Sequence, residues 1–548
     1  MRKLLTTHPR YWLYTLSLVG LATSLIMAVA YGSGFTTPLL FSLPVLVGTY
    51  DLAQRSRTLS RNYPILVHFR YFLESIGPEI RQYFIQSDTE ERPFSRDQRA
   101  LVYQRAKNTL DKRPFGSQLE MYADGFEWMS HSLAPLDCDP ETFRVLVGKN
   151  RRQPYSASVF NISAMSFGSL SANAILALNT GARQGGFYHD TGEGSISRYH
   201  RQPGGDLVWE IGSGYFGCRN PDGSFSEQNF VRNATLEQVK MIEIKLSQGA
   251  KPGHGGILPG AKVTPEIAEA RGVPVGRDVV SPARHSAFDT PLGLLAFIAR
   301  LRTLSGDKPV GFKLAIGHPW EWFAIVKAML DTRITPDFIV VDGGEGGTGA
   351  APLEFINRLG MPLTEALLLV HNTLVGTNLR DDIAIGAAGK ITSAFDMART
   401  LALGADWCNS ARGYMFSLGC IQALNCHSGK CPSGIATQDV SRSGKLDVRD
   451  KSQRVYHFHH NTVAALSNLL GAAGLSHPSQ LGPEHILRRV SRTDARTYMD
   501  LYEFLEPGAL LAGNTTGIGV FDRYWSAADA ASFAPPRFVA ELRETKLR

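Results

Sequence analysis

Short apolar, β-rich runs recur from about residue 156 onward, each followed by Gly or Pro and then by a stretch whose apolar residues return at three- and four-residue spacing. The runs are Val159 to Met165, Gly186 to His189, Met241 to Leu246, Val279 to Ser281, Val310 to Ile316, Phe338 to Val341, Ile383 to Ile385 and Trp407 to Ser410. Helical periodicity fills intervals at 172–183, 265–270, 291–304, 320–330, 364–374 and 393–403. Eight strands alternating with helices predict an α/β fold, a (β/α)8 TIM barrel. A doubly wound open sheet is the competing arrangement. It fits less well because polar, Gly-rich segments follow nearly every run, as active-site loops at the carboxyl ends of barrel strands would. On this reading 201–237 is a long insertion after the second strand.

The amino terminus has a different pattern, with no Asp, Glu, Lys, Arg or His between Tyr11 and Tyr50. A membrane helix needs ~20 apolar residues, so this run is long enough for more than one span. Gly32-Ser33-Gly34 divides it, and Pro38 and Pro44 fall in the shorter second segment, which predicts a transmembrane helical hairpin. Arg2, Lys3 and Arg10 precede the run and Arg55, Arg57 and Arg61 follow it. The positive-inside rule then places both ends in the cytoplasm, with the hairpin in the inner (cytoplasmic) membrane and the catalytic domain facing the cytoplasm. Ala28-Val29-Ala30 imitates a signal-peptide cleavage site, but the second apolar segment favours a retained anchor in the lipid bilayer. The expected organisation is a hairpin anchor over 1–52, a helical connector or cap over 53–125, the barrel over 126–480 and a carboxyl-terminal extension over 481–548.

Composition changes this picture little. The 548 residues carry a net charge of +7, with no Arg-rich strip interleaved with aromatics, so nucleic acid is not an expected partner. Of six cysteines, Cys138, Cys218 and Cys408 are isolated, which argues against a secreted disulfide framework. The other three, Cys420, Cys426 and Cys431, lie close together, with a Pro after the third. Three thiolates suit a 3Fe-4S cluster, where other common iron-sulfur centres take four. A zinc site would need a fourth ligand, for which His427 is the near neighbour.

Glycine-rich turns add a second theme. The run from Gly212 to Gly217 matches a dinucleotide fingerprint letter for letter, but no strand is evident before it and Asn220-Pro221-Asp222-Gly223 breaks any helix after it. The run Asp342 to Gly349 begins where a buried strand ends, so bare backbone there can approach a flat cofactor; simple turn formation is the alternative. Ala387-Ala388-Gly389-Lys390 follows the seventh strand, where barrels often bind phosphate. Lys245 and Lys313 sit inside apolar strand runs, where a lysine needs an anionic partner, either a reduced flavin or an ion pair inside the barrel.

These residues together resemble the FMN-binding synthase domain of glutamate synthases. The likeness rests on Ser163 to Ser171, Asp190 to Gly194, Glu243 to Gly253, Leu258 to Gly260, Gly343 to Pro352 and the cysteine loop through Gln438, spanning roughly 130–470. Glutamate-synthase-like proteins with a membrane-anchored amino terminus are similar overall. The resemblance implies an FMN- and 3Fe-4S-dependent oxidoreductase that reductively aminates a 2-oxoacid, typically 2-oxoglutarate with ammonia to L-glutamate. By position, Ala164, Met165 and Ser166 would line the flavin ring and Lys313 would face its N1 edge, with Lys245 nearby. Gly346, Gly347, Gly389 and Lys390 would hold the phosphate. Gln248, Lys251 and Arg271 would bind the oxoacid carboxylates, and Glu193 would relay a proton or orient the imine.

The chain departs from the family pattern at Ile257, where a Gln is usual, and at His254, where an acid is usual, which counts against 2-oxoglutarate itself. Glutamine-using members begin with an amidotransferase domain, whereas this sequence begins with the apolar hairpin. Nitrogen is therefore expected from ammonia or an amine, and, with no FAD or NADPH domain and no four-cysteine ferredoxin motif evident, electrons from a separate donor, a ferredoxin or reductase subunit. The alternatives are an FMN-dependent amine or 2-hydroxy-acid oxidoreductase, or a membrane-bound electron-transfer subunit without oxoacid activity.

Overall fold

The computed structural model describes residues 8–54, 57–89, 91–513 and 516–546, so Arg2, Lys3 and Arg55 of the expected charge pattern lie outside the described residues. The chain forms two compact units, Met1–Asp97 and Gln98–Arg548.

In the first unit α1 (Trp12–Tyr31) and α2 (Thr36–Ala53) fold back on each other through Gly32, which takes a left-handed φ of 60°. Tyr14 Oη and Thr49 Oγ1 share a 2.8 Å hydrogen bond, so the start of α1 meets the end of α2. Gly20 leaves room for Phe41, whose ring carbon would stand 2.5 Å from a Cβ at that position. Small residues at such contacts let two apolar helices approach closely. Pro9–Tyr31 is long and apolar enough to cross a bilayer. Among the described residues no second helix reaches that measure; α2 has Pro44 inside it and Asp51 near its end.

The second unit is built on a closed barrel of eight parallel strands, in chain order around the ring. They are β1 (Phe160–Ile162), β2 (His189–Asp190), β3 (Leu207–Ile211), β4 (Val239–Lys245), β5 (Val310–Leu314), β6 (Phe338–Asp342), β7 (Ala384–Ala388) and β8 (Trp407–Ser410). Two expectations need correction. The region 201–237 is no simple insertion, because it holds β3 and the helix Glu227–Ala234. Conversely, Val279–Val280 is not a barrel strand; it pairs antiparallel with Ile257–Leu258 in the long excursion after β4. Burial explains both: β3 is buried at every residue, Glu210 included, whereas Val280 is 61% exposed. The strand expected over Gly186 to His189 is shifted, β2 being His189–Asp190.

A hairpin of Arg144–Val147 and Tyr155–Ser158 covers the amino-terminal end of the barrel. Val147, Tyr155 and Ala157 pack there with Tyr188, Val208, Met241, Phe338 and Trp407. The long helix Val448–Ala472 lies against Ala172–Gly185 at Gly181, where a Cβ would come within 2.5 Å of Val455 Cγ1. Glu127–Met129 pairs antiparallel with Ile486–Arg489, which also pairs with Ala495–Thr497. The segments before and after the barrel thus join in one small sheet, leaving the carboxyl ends of β1–β8 for chemistry.

Candidate functional site

At that carboxyl end, backbone contacts bring the first two loops together. Gly192, at φ 62°, lies so close to the first loop that a Cβ would sit 2.7 Å from Ser166 N. Gly194 is equally constrained, its Cβ position lying 2.9 Å from Phe167 O. The stretch Ala164-Met165-Ser166 is therefore held from one side by the Asp190 to Gly194 turn.

Glu193 of that turn meets Lys245 at the end of β4, with 2.6 Å between Lys245 Nζ and Glu193 Oε2. The carboxylate lies between two glycines, Gly212 and Gly256, whose Cβ positions would stand 3.0 and 2.8 Å from its oxygens. Burial alone would raise the Glu193 carboxyl, but the charge and hydrogen bond of Lys245, helped by Arg271 and Lys251, hold it at about 2. Gln248, Lys251 and His254 join Glu193, Lys245 and Ser213 around a polar cleft of about 30 Å³. The Lys251 ammonium is shifted down by burial, with Lys245 adding to the effect and Glu193 opposing it.

Arg271 does not line this cleft. Its guanidinium lies beside Gly168 and Gly194, 3.3 Å from either Cβ position, and donates to Phe167 O at 3.2 Å. It also sits 4.9 Å from the Phe216 ring centroid. Its buried Nε has no hydrogen-bond partner, an uncommon condition for a buried donor.

Below the cleft the barrel interior is charged. Register aligns Glu210 with Glu243, and Lys245 with Lys313, so the acids and the lysines form successive layers. Lys313 Nζ bonds Glu210 Oε2 and lies 3.7 Å from Glu243 Oε1, while Lys245 Nζ is 3.8 Å from Glu210 Oε1. Asp190, Glu210 and Glu243 each offer a carboxylate oxygen within 4.8 Å of the others. Burial and then the Glu210 charge raise the Asp190 carboxyl, against Lys313, the Gly192 amide and a hydrogen bond with Glu243; burial, Asp190 and Glu210 raise Glu243, against Lys313. Burial would lower Lys313, but Glu210, Glu243, Asp190 and Asp342 raise it well above its usual value. The anionic partner that a buried lysine requires is thus present in the barrel itself.

The later loops form a third group. Asp342 Oδ2 accepts from Gly249 N at 3.1 Å, and a Cβ on Gly249 would overlap the Gly343 carbonyl. Gly347 lies against Arg412, 2.8 Å from its Nε to the Cβ position, and Arg412 Nη2 donates to Glu345 O at 2.6 Å. Gly389 approaches Leu363 and Glu345 from β7, and Lys390 follows in a left-handed conformation at φ 55°. Gly347 and Gly389 thus lie beside Arg412 and Glu345, with Gly346 turned toward Gly343 O and Asp342 Oδ1; desolvation lowers the half-buried Arg412 guanidinium to about 10.

The cysteine loop follows the helix Arg412–Ser417. Burial pushes the Cys420 thiol up to about 11, with Cys426 and Cys431 contributing. Burial opposes ionisation at Cys431 too, but the Ser433 hydroxyl and the amides of Ala436, Ile435 and Ser433 hold it below the usual value. Gln438 Nε2 donates to Gly168 O at 3.0 Å and to Leu170 O at 2.9 Å, and Ser171 Oγ donates to Gly434 O at 2.8 Å. These bonds join the end of the cysteine loop directly to the loop that carries Ala164, Met165 and Ser166.

A parallel (β/α)8 barrel with a charged cleft at its carboxyl ends defines the class, and comparison with known proteins gives the family. Residues 127–476 match the conserved region in glutamate synthase. The chain is 37% identical over 480 residues to the glutamate synthase large subunit-like protein YerD of Bacillus subtilis, covering 80% of this chain and 91% of that one. It is 35% identical over 330 residues to the archaeal-type NADPH glutamate synthase of Thermotoga maritima, covering 60% and 62% of the two. Among solved structures, a flavocytochrome b2 variant with sulfite bound aligns with TM-score 0.42 and 12% identity over 86% of this chain and 97% of the other. The chain belongs to the glutamate synthase family, oxidoreductases that act on CH–NH2 donors.

Proposed function

We propose that this chain is a membrane-tethered oxidoreductase that reductively aminates a 2-oxoacid, with 2-oxoglutarate and ammonia giving L-glutamate as the leading instance. The observation that carries this reading is the cleft where Glu193, Lys245, Gln248 and Lys251 meet. Two lysines and an amide suit a carboxylate that must be bound and oriented. Glu193, held at about 2, stays anionic at neutral pH; it orients Lys245 and does not supply a proton. Lys251, with its ammonium destabilised by burial, is the better proton donor to a substrate nitrogen.

The residues fit both cofactors of the family. Gly346, Gly347 and Gly389, with Arg412 and Lys390, would hold the FMN phosphate, and the bare backbone around Ala164, Met165 and Ser166 would accept the ring. Cys420, Cys426 and Cys431 offer three soft ligands whose mutual repulsion a metal cluster would relieve. Bound FMN supplies hydride transfer and a 3Fe-4S cluster supplies single electrons. The hydrogen bonds of Gln438 and Ser171 give this pair of sites a fixed relation, and a separate ferredoxin or reductase would load them. The pair α1–α2 would anchor the chain in the inner membrane with the barrel in the cytoplasm.

Titration of the flavin spectrum with 2-oxoglutarate tests the binding half of this reading. A saturable shift lost in Lys251→Ala, with FMN retained, is expected. No shift with 2-oxoglutarate or any other 2-oxoacid would contradict an oxoacid site at this cleft.

A further inference from the structure

Beyond α2 and the short helix Thr58–Asn62, α3 (Leu66–Ile80) leaves most of an apolar face uncovered. At 100° per residue, Leu66, Phe69, Phe72, Leu73, Ile76 and Ile80 fall within one 120° sector. Arg70, Glu74 and Ser75 lie outside it. All of these apolar residues but the half-buried Ile76 are exposed, as the polar ones are: Phe69 is 64% exposed, and Phe84, in the turn that continues the helix, 85%. Soluble proteins rarely leave so long an aromatic and aliphatic stripe uncovered.

The position of α3 is fixed by the end of α2. The buried Asp51 carboxylate accepts from Ile65 N at 2.9 Å and from His68 Nε2 at 3.0 Å, so α3 starts at the level where α2 ends. At the same level lie Tyr11, Trp12 and Tyr14 at the start of α1, and Tyr50 at the end of α2. Arg10 and Arg57 flank them. Aromatic and basic residues collected at one end of apolar helices mark a membrane–water boundary. Between residues 57 and 86 there are four arginines against two glutamates, a balance that complements anionic headgroups.

We infer that α3 lies along the membrane surface as an interfacial helix, its apolar face among lipid headgroups and upper acyl chains. This rests on the proposal that α1–α2 is a membrane anchor. The face matches such a helix in its apolar sector, its aromatic content and its basic flanks. The consequence is that the chain leaves the anchor along the surface of the bilayer and not directly away from it.

The test uses the full chain in nanodiscs of phosphatidylcholine and phosphatidylglycerol, in a Cys138→Ser background. Nitroxide labels are placed one at a time at Phe72→Cys, Glu74→Cys and Val19→Cys, and collisions with oxygen and with a water-soluble nickel complex are compared. The expected result is an oxygen-to-nickel ratio several-fold higher at position 72 than at 74, with position 19 highest. A nickel-accessible label at 72 with an oxygen-accessible label at 19 would overturn the interfacial helix and leave the anchor standing. A label at 72 shielded from both reagents would overturn it in favour of a protein partner or a second copy. A nickel-accessible label at 19 would overturn the anchor itself, and this inference with it.

Discussion

Lys313, buried in the barrel beside Glu210, Glu243 and Asp190, holds a local charge balance that one substitution would upset. Removing one partner of a buried ion pair costs about 3–5 kcal/mol. Lys313→Met should therefore lower stability by roughly that amount in urea unfolding, and the double variant with Glu210→Gln should recover part of it. Asp190 makes a pH prediction. Its native carboxyl is raised by burial and by Glu210, so its contribution to stability is full below the unfolded value of about 3.9 and is lost as pH rises through the native value. Asp190→Asn should keep an acceptor for Gly192 N and flatten that decline when unfolding is followed from pH 4 to 8. Glu193 works in the opposite sense, its stabilisation present above about 4.3 and lost as pH falls toward its native value of about 2. The two lysines were legible in the sequence because a charge inside an apolar strand needs a partner. Glu210 was not, since its strand went unrecognised, and Arg412 carried no pattern that separated it from any other helix-start arginine.

Among the elements, the contact of Val448–Ala472 with Ala172–Gly185 depends on Gly181, where Val455 and the Ser452 carbonyl leave no room for a side chain. Overpacking a core typically costs about 1–3 kcal/mol, so Gly181→Val should lower the denaturation midpoint accordingly. A variant as stable as wild type would show that the two helices can separate at little cost. Helices were the readable elements: the periodicity over 291–304 coincides with the helix Pro291–Leu304. Strands were harder. Leu207–Ile211 carries Glu210 in the middle of its apolar run, and only the buried pairing with Lys313 and Lys245 makes that tolerable, a fact no local pattern contains. Val279–Val280 shows the converse, a β-rich dipeptide that serves an excursion after β4.

For the molecule as a whole, the ring of strands and its alternation with helices were visible in sequence, while the layering of charge inside it emerged only from strand register. The cysteine loop was visible as spacing; its attachment to the Ser163 to Ser171 loop through Gln438 was not. On the proposal that this loop holds a 3Fe-4S cluster, Cys431→Ser should reduce bound iron and its EPR signal while flavin absorbance persists; unchanged iron content would contradict that proposal. The proposed reductive amination of a 2-oxoacid can be measured by incubating the full chain anaerobically with reduced ferredoxin, isotopically labelled ammonia and 2-oxoglutarate, and following label in amino acid by mass spectrometry. Labelled glutamate is expected from the wild type, and at least about 100-fold less from Lys251→Ala, the lower end of what a positioned acid contributes. Fully loaded protein that accepts electrons yet forms no labelled amino acid from 2-oxoglutarate or any other 2-oxoacid would contradict the proposed reaction.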